Sequence, residues 1–279
     1  MNLRNGFLSF FKGAFVAFVS FAYYISTAGI VLSFGIYEEL LDATGNFFWD
    51  IKKNYKIMFP FIFGAIAGIL SNANLIPLVL YKVQVQVNFL FIGIMVGGIS
   101  LITEKKKLEK KAINIVIMIL LFILLVLSYL FLSSMNEVNF NISFINILLV
   151  LGVGVLTGIG VLIPGIGSHF VLDKLGYLNL IFRTFGNLLN TKYIINSIAI
   201  ALPFIIGIII GLVITGKLIS YLIKKYESKT YYGLIGLVCS SIVLILINTK
   251  PFTINVLNIG FCIFAFLWGY LLVKNLDKE

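Results

Sequence analysis

Apolar residues in this chain come in long unbroken runs, and the polar residues gather in short segments between them. The runs at about 57–80, 87–103, 112–132, 198–223, 230–247 and 252–273 reach or approach the roughly 20 residues that carry an α-helix across a hydrocarbon core. A membrane barrel strand would alternate apolar and polar positions, and these runs do not. The pattern therefore predicts six helical spans. Two further apolar blocks, about 8–46 and 144–187, are interrupted by glycine and proline. Such breaks are tolerated at membrane depth only where protein covers them. Each block is expected to enter and return on one side, as a re-entrant hairpin or as two full spans.

Composition fixes the class. Of 279 residues, 60% are hydrophobic and 11% charged, and the mean hydropathy is +1.08, well outside the range of soluble domains. The formal charge of +10 comes from lysines in the short loops, which is a topology signal rather than a nucleic-acid surface. Cys239 and Cys262 lie in apolar runs without further ligands at metal spacing, so neither a disulfide framework nor a metal site is expected. The N-terminal stretch lacks a clean small-residue cleavage site and reads as retained.

The densest basic loop, "EKKKLEKK" at 104–111, is placed in the cytoplasm by the positive-inside rule. Counting spans from there puts 133–141 outside, 224–229 inside and both termini in the cytoplasm. About sixteen of the 21 Lys and Arg residues then fall on the cytoplasmic side, the asymmetry the rule requires.

The chain also matches itself. A shift of 143 aligns "PFIFGAIAGILSNANLI" from Pro60 with "PFIIGIIIGLVITGKLI" from Pro203 and pairs Gly64 with Gly207, Gly68 with Gly211 and Gly93 with Gly236. Over 57–100 it gives thirteen identities in 44 positions, where roughly four are expected from so skewed a composition. A shift of 141 carries the match upstream, pairing Gly13 with Gly154, Ile25 with Ile166 and Gly35 with Gly176. The expected fold is an all-α polytopic membrane protein of two inverted-topology repeats, 1–135 and 136–279. Each repeat is a broken hairpin followed by three transmembrane helices, an odd number that turns the second copy upside down. Secondary transporters share this arrangement, with the site where the broken elements meet.

The glycine-rich broken segment, "GIYEELLDA" from Gly35, "IPGIGS" from Ile163 and "GKLISYLIKKY" from Gly216 resemble the PopT-type polyprenyl-phosphate translocase family. The resemblance runs over nearly the whole chain. It implies a prokaryotic plasma-membrane protein that returns undecaprenyl phosphate, the lipid carrier of cell-wall synthesis, to the cytoplasmic leaflet. The family's Pro-Gly-x-Ser-Gly-Gly-Thr motif reads "YYISTAG" here, with Tyr23 and Tyr24 at the Pro-Gly positions and Ser26 retained. Its second motif, Pro-Gly-x-Ser-Gly-Ser, reads "PGIGSH", with Gly167 and His169 at the serine positions.

A phosphate headgroup at membrane depth needs donors without bulk, and glycine turns that open helices supply backbone N–H groups. Ser26, Thr27, Gly165, Gly167, Ser168 and His169 are the candidate substrate-binding residues on that ground, although the hydroxyls could equally cap helix ends. Lys174 and Arg183 are candidate phosphate counter-ions, or else interface anchors. His169 and Asp173, four apart and so on one helix face, form a candidate proton-coupling pair. Glu38 is a candidate gate or proton site. The spacing of Gly154 and Gly158 predicts close helix packing. No nucleotide loop or zinc pair is evident, and the chain reads as a transporter rather than an enzyme, without a cofactor. The partners expected are a polyprenyl phosphate lipid, the membrane and, as a candidate, a second copy of the chain; nucleic acid is not among them. A carrier of another small anion and a non-transporting membrane partner protein of the same fold are the alternatives.

Overall fold

The computed structural model describes residues 10–11, 13–14, 26–35, 37–45, 59–60, 63–64, 83–138, 140–189, 192–249 and 255–276. Most of the expected span at 57–80 lies outside the described residues, as do Tyr23, Tyr24, the outer limb of the first broken block and both chain ends. The described residues form helices and no strand. In order they are α1 (Thr27–Ser33), α2 (Tyr37–Gly45), α3 (Val83–Lys105), α4 (Ala112–Phe131), α5 (Phe144–Leu162), α6 (Ser168–Lys174), α7 (Leu178–Gly186), α8 (Ile194–Lys225), α9 (Glu227–Asn248) and α10 (Val256–Leu276). Six of them, α3, α4, α5, α8, α9 and α10, are long and apolar enough to cross a membrane, and the chain is a multi-pass membrane protein. The two ends of α4 define the two ends of the bundle: a lysine-rich end at 105–111, and an opposite end at 132–138.

One element differs from the sequence expectation. The first limb of the block at 144–187 is a continuous 19-residue helix, α5, and only the second limb is broken, into α6 and α7. Within it Gly154 and Gly158 make the close helix contact that their spacing predicts. A Cβ on Gly154 would stand 2.3 Å from the Phe204 carbonyl oxygen, and one on Gly158 would stand 2.3 Å from that of Ile208. Gly207 and Gly211 of α8 reciprocate: a Cβ on either would stand 2.2 Å from an α5 carbonyl oxygen. Lipid tails are as apolar as leucine, so helices associate in a bilayer by such close backbone approach rather than by the hydrophobic effect. The break comes at Pro164, which cannot donate to a helix ladder, and at Gly165, whose φ of 92° favours glycine.

Glycine contacts assemble the other long helices in the same way. Gly93 of α3 approaches Phe266 of α10, Gly269 of α10 approaches Leu90, and Gly236 of α9 approaches Met118 of α4. The outward faces of α4 and α10 remain exposed, as lipid contact requires. The main core contains α1, every residue of which is buried. Around it pack Met95 and Ile94 of α3, Tyr231 and Val238 of α9 and Leu162 of α5.

The two short pairs have matching bounds. α1 and α6 each contain seven residues, α2 and α7 each contain nine, and both correspondences have an offset of 141. Each first helix of a pair is followed by a glycine in the left-handed region, Gly35 at φ 69° and Gly176 at φ 74°. At Gly176 the Tyr177 amide reaches back to Leu172 at 2.9 Å, a helix-terminating pattern that needs a residue without Cβ strain. The carbonyls that α6 leaves unused, at Lys174 and Gly176, accept from Met135 and Val138 at 3.0 and 3.2 Å.

Replacing Gly207 by Val should break the α5–α8 seam, at a cost of roughly 1–3 kcal/mol read as a lowered melting temperature in detergent. Gly152→Ala, where nothing stands within 4 Å of the new Cβ, should leave that temperature unchanged or raise it, because alanine favours a helix over glycine.

Candidate functional site

The two broken elements meet at a single hydroxyl. Ser26 caps α1 by accepting from the Gly29 amide at 3.2 Å, and its Oγ also accepts from the Gly165 amide at 2.8 Å. Ser26 is 1% exposed, so this bond is sheltered from competing solvent. The Tyr37 hydroxyl donates to the Leu162 carbonyl at 2.6 Å, occupying an acceptor that the end of α5 leaves open. The break between α5 and α6 is thus held from both sides, by the start of α1 and the start of α2. From this contact α1 runs toward the lysine-rich end, where Glu38 lies beside Lys106. α6 runs the other way, to the loop at 132–138.

Thr27 and Ser168 are the first residues of α1 and α6, and Gly167 is the α6 cap. His169 lies in the first turn of α6, with its ring 6.3 Å from that of Phe182. Asp173 and Lys174 point to the opposite end. Asp173 accepts from Ser134 at 2.8 Å, while Lys174 donates to the Leu132 carbonyl at 2.6 Å. The Lys174 ammonium also sits over the rings of Tyr129 and Phe170, at 5.2 and 5.7 Å. Arg183 is exposed on α7, an element separate from the Ser26–Gly165 contact. Of the sequence candidates, the structure brings Ser26 and Gly165 into direct contact.

Glu38 has a setting that sequence reading missed. Its carboxylate pairs with Lys106 Nζ at 2.7 Å and accepts a short hydrogen bond from the Tyr231 hydroxyl. Lys106 also pairs with Glu227 at 3.2 Å and lies 5.1 Å from the centre of the Tyr231 ring. Partial burial pushes the Glu38 carboxyl up, but hydrogen bonds from Lys106 and Tyr231 outweigh it and hold the group below the usual range. Lys106 is raised for the reciprocal reason: burial lowers it, and the carboxylates of Glu38 and Glu227 more than compensate. Beside this cluster lies a cavity of about 140 Å³, walled by α1, α2, α3, α9 and α10. The signal for Lys106 was present in the basic loop, which sequence reading treats as topology. A second lysine neighbour, Asp42 with Lys224 at 3.3 Å, ties α2 to α8.

These features define a class: a polytopic helical membrane protein in which two short helices, α1 and α6, start beside one another and run to opposite ends of the bundle. The VCA0040-like family model, described as undecaprenyl phosphate translocase-like, matches residues 2–115 and 99–260. The chain belongs to that family, in agreement with the resemblance seen in the sequence. Searches of curated proteins and of solved structures found no match.

Ser26→Ala removes both a helix cap and the acceptor of the half-buried Gly165 amide. It should cost about 1–2 kcal/mol, measurable as a lower denaturation midpoint. Because the Glu38 carboxyl is depressed in the folded chain, the stability it contributes is present above the ordinary carboxylate range and is lost as pH falls below about 4. Melting temperatures of wild type and Glu38→Gln should therefore differ at pH 7 and converge as pH falls through that range.

Proposed function

We propose that this protein moves undecaprenyl phosphate, or a related polyprenyl phosphate, between leaflets for carrier-lipid recycling in cell-envelope synthesis. The observation that carries this reading is the bond from the Gly165 amide to buried Ser26, since it joins two elements that leave for opposite ends of the bundle. A headgroup reaching membrane depth from either side would meet that junction. The acyl chain would stay in lipid along the exposed faces.

The reading takes 1–135 and 136–279 as inverted repeats. Its support is the offset of 141 between the short helix pairs and the pairing of Gly93 with Gly236, each at a crossing with an outer helix. Inverted repeats allow two mirror-related states by rocking one half on the other. In the form described here Ser26 and Gly165 satisfy each other. Ser26, Thr27, Gly165, Gly167, Ser168 and His169 are assigned to the headgroup once the tips part.

Lys174 and Arg183 are assigned to phosphate capture at the outer end. Glu38 is assigned as the gate at the cytoplasmic, lysine-rich end, and His169 with Asp173 as a proton-coupling pair. The reading puts that end and both termini in the cytoplasm of a prokaryotic cell, and the basic loops support the orientation. The protein acts as a transporter and not as an enzyme.

The test is leaflet-resolved labelling of undecaprenyl phosphate in vesicles with and without the protein. Wild type should expose the inner-leaflet lipid to an outside reagent, and Arg183→Ala should slow that exposure about tenfold, the worth of one charge-assisted hydrogen bond. Equal distributions with and without the protein would overturn the reading.

A further inference from the structure

The cavity at the lysine-rich end is not explained by the junction of the two tips. Its walls are apolar, including Leu32, Ile102 and Val273, while Glu38, Lys106 and Tyr231 close one side of it. At about 140 Å³ it is well below the roughly 300 Å³ of pockets that engulf a drug-sized molecule. It suits a small anionic group with the first carbons of an apolar chain. An ammonium shared between two carboxylates at 2.7 and 3.2 Å is a cation whose partner can be exchanged, because a phosphate brings more charge than either carboxylate.

We infer that this cavity binds a phosphate monoester through Lys106, and that the phosphate displaces Glu38, which takes up one proton from the cytoplasm as it loses its cation. The inference rests on the translocase reading and adds to it a docking site and a coupled proton. No covalent bond changes: one phosphate enters, one proton enters, and the Tyr231 hydroxyl keeps a neutral carboxyl as its neighbour. The direction follows from the charges around Glu38. On its own helix Asp42 disfavours the carboxylate and Tyr37 lies beside it; from the loop after α3, Lys106 favours it, with Lys105 on the same cavity wall; from α9, Tyr231 donates to it and Glu227 shares its lysine. With Lys106 diverted to a phosphate, the chief favourable charge is gone and a like charge has arrived, so the protonated form is preferred. Binding then draws a proton at neutral pH, where the free carboxyl is ionised.

The experiment is calorimetric titration of the full chain in lipid nanodiscs with farnesyl phosphate, farnesol and inorganic phosphate. It is run between pH 7 and 9, above the second phosphate ionisation near 6, in buffers of different ionisation heat, so that protons bound per ligand are read directly. Farnesyl phosphate should bind with uptake approaching one proton and lose up to about tenfold in affinity per pH unit. Glu38→Gln should abolish both the uptake and the pH slope and should bind more tightly, since no carboxylate competes. Lys106→Gln should weaken binding at least tenfold, with Lys106→Arg restoring it, which separates the charge from any loss of fold. Inorganic phosphate competing with the same uptake would identify a site for free phosphate; failure to compete at millimolar concentration would identify the lipid headgroup. The inference is overturned if farnesol binds as well as farnesyl phosphate, if Lys106→Gln binds like wild type, or if Glu38→Gln keeps the pH slope. The vesicle assay on the same preparation separates the two ideas: wild-type lipid movement together with any of those results removes the cavity assignment alone, and no wild-type movement removes the translocase reading.

Discussion

A backbone amide at the tip of a break in a membrane helix has to find an acceptor, because hydrocarbon offers none. Gly165 finds Ser26, and much of the core follows from that choice. The serine must arrive on a separate element, 139 residues away in sequence, so α1 has to reach the centre of the protein and be buried along its whole length. The open carbonyl at the end of α5 imposes a similar demand, met by Tyr37. Two polar needs of one break therefore fix the positions of both helices in the first short pair.

Burying α1 is affordable only if its neighbours come close without hydrophobic drive, and the glycines make that approach. Gly98 of α3 leaves room for Ser33, where a Cβ would lie 2.2 Å from the serine Oγ, and Gly216 of α8 takes Thr44 and Gly45 of α2 against its backbone. The same residue type thus has two uses. At Gly35, Gly165 and Gly176 it permits a left-handed turn, and along α5, α8 and α9 it permits contact between helices that stay unbroken.

That double use explains what the sequence made legible. The glycine pairs 141 apart pointed to matching elements, and α1 with α6 and α2 with α7 share their bounds at that offset. The apolar runs that fall mainly among the described residues, 87–103, 112–132, 198–223, 230–247 and 252–273, likewise became long helices within a few residues of their expected ends. The four-residue spacing of Gly154 and Gly158 pointed to close helix packing, and both press on α8 from within continuous α5. What the glycine- and proline-rich run left open is where the break falls, which is at Pro164 and Gly165 and not within the first limb. Ser26 and Gly165 could each be named from local pattern, but their bond is long-range and has no local signature. Lys106 was hidden differently, since one lysine in a basic run looks like the others until Glu38 and Glu227 select it.

The two short pairs also show how matched scaffolding can carry unequal chemistry. Position 38 on α2 and position 179 on α7 are 141 apart, and each ties its helix to a loop flanking a long span. At position 38 the tie is an ion pair, Glu38 to Lys106; at 179 it is a hydrogen bond from the Asn179 amide to Glu137. An ion pair at a partly exposed site weakens with salt, whereas a hydrogen bond from a neutral side-chain amide depends on salt far less. The Lys174 ammonium is meanwhile held by a carbonyl and two rings rather than by a carboxylate. A competing anion would therefore loosen the lysine-rich end before the other. The two ends thus respond to different conditions, although α1 and α2 share their bounds with α6 and α7 at one offset.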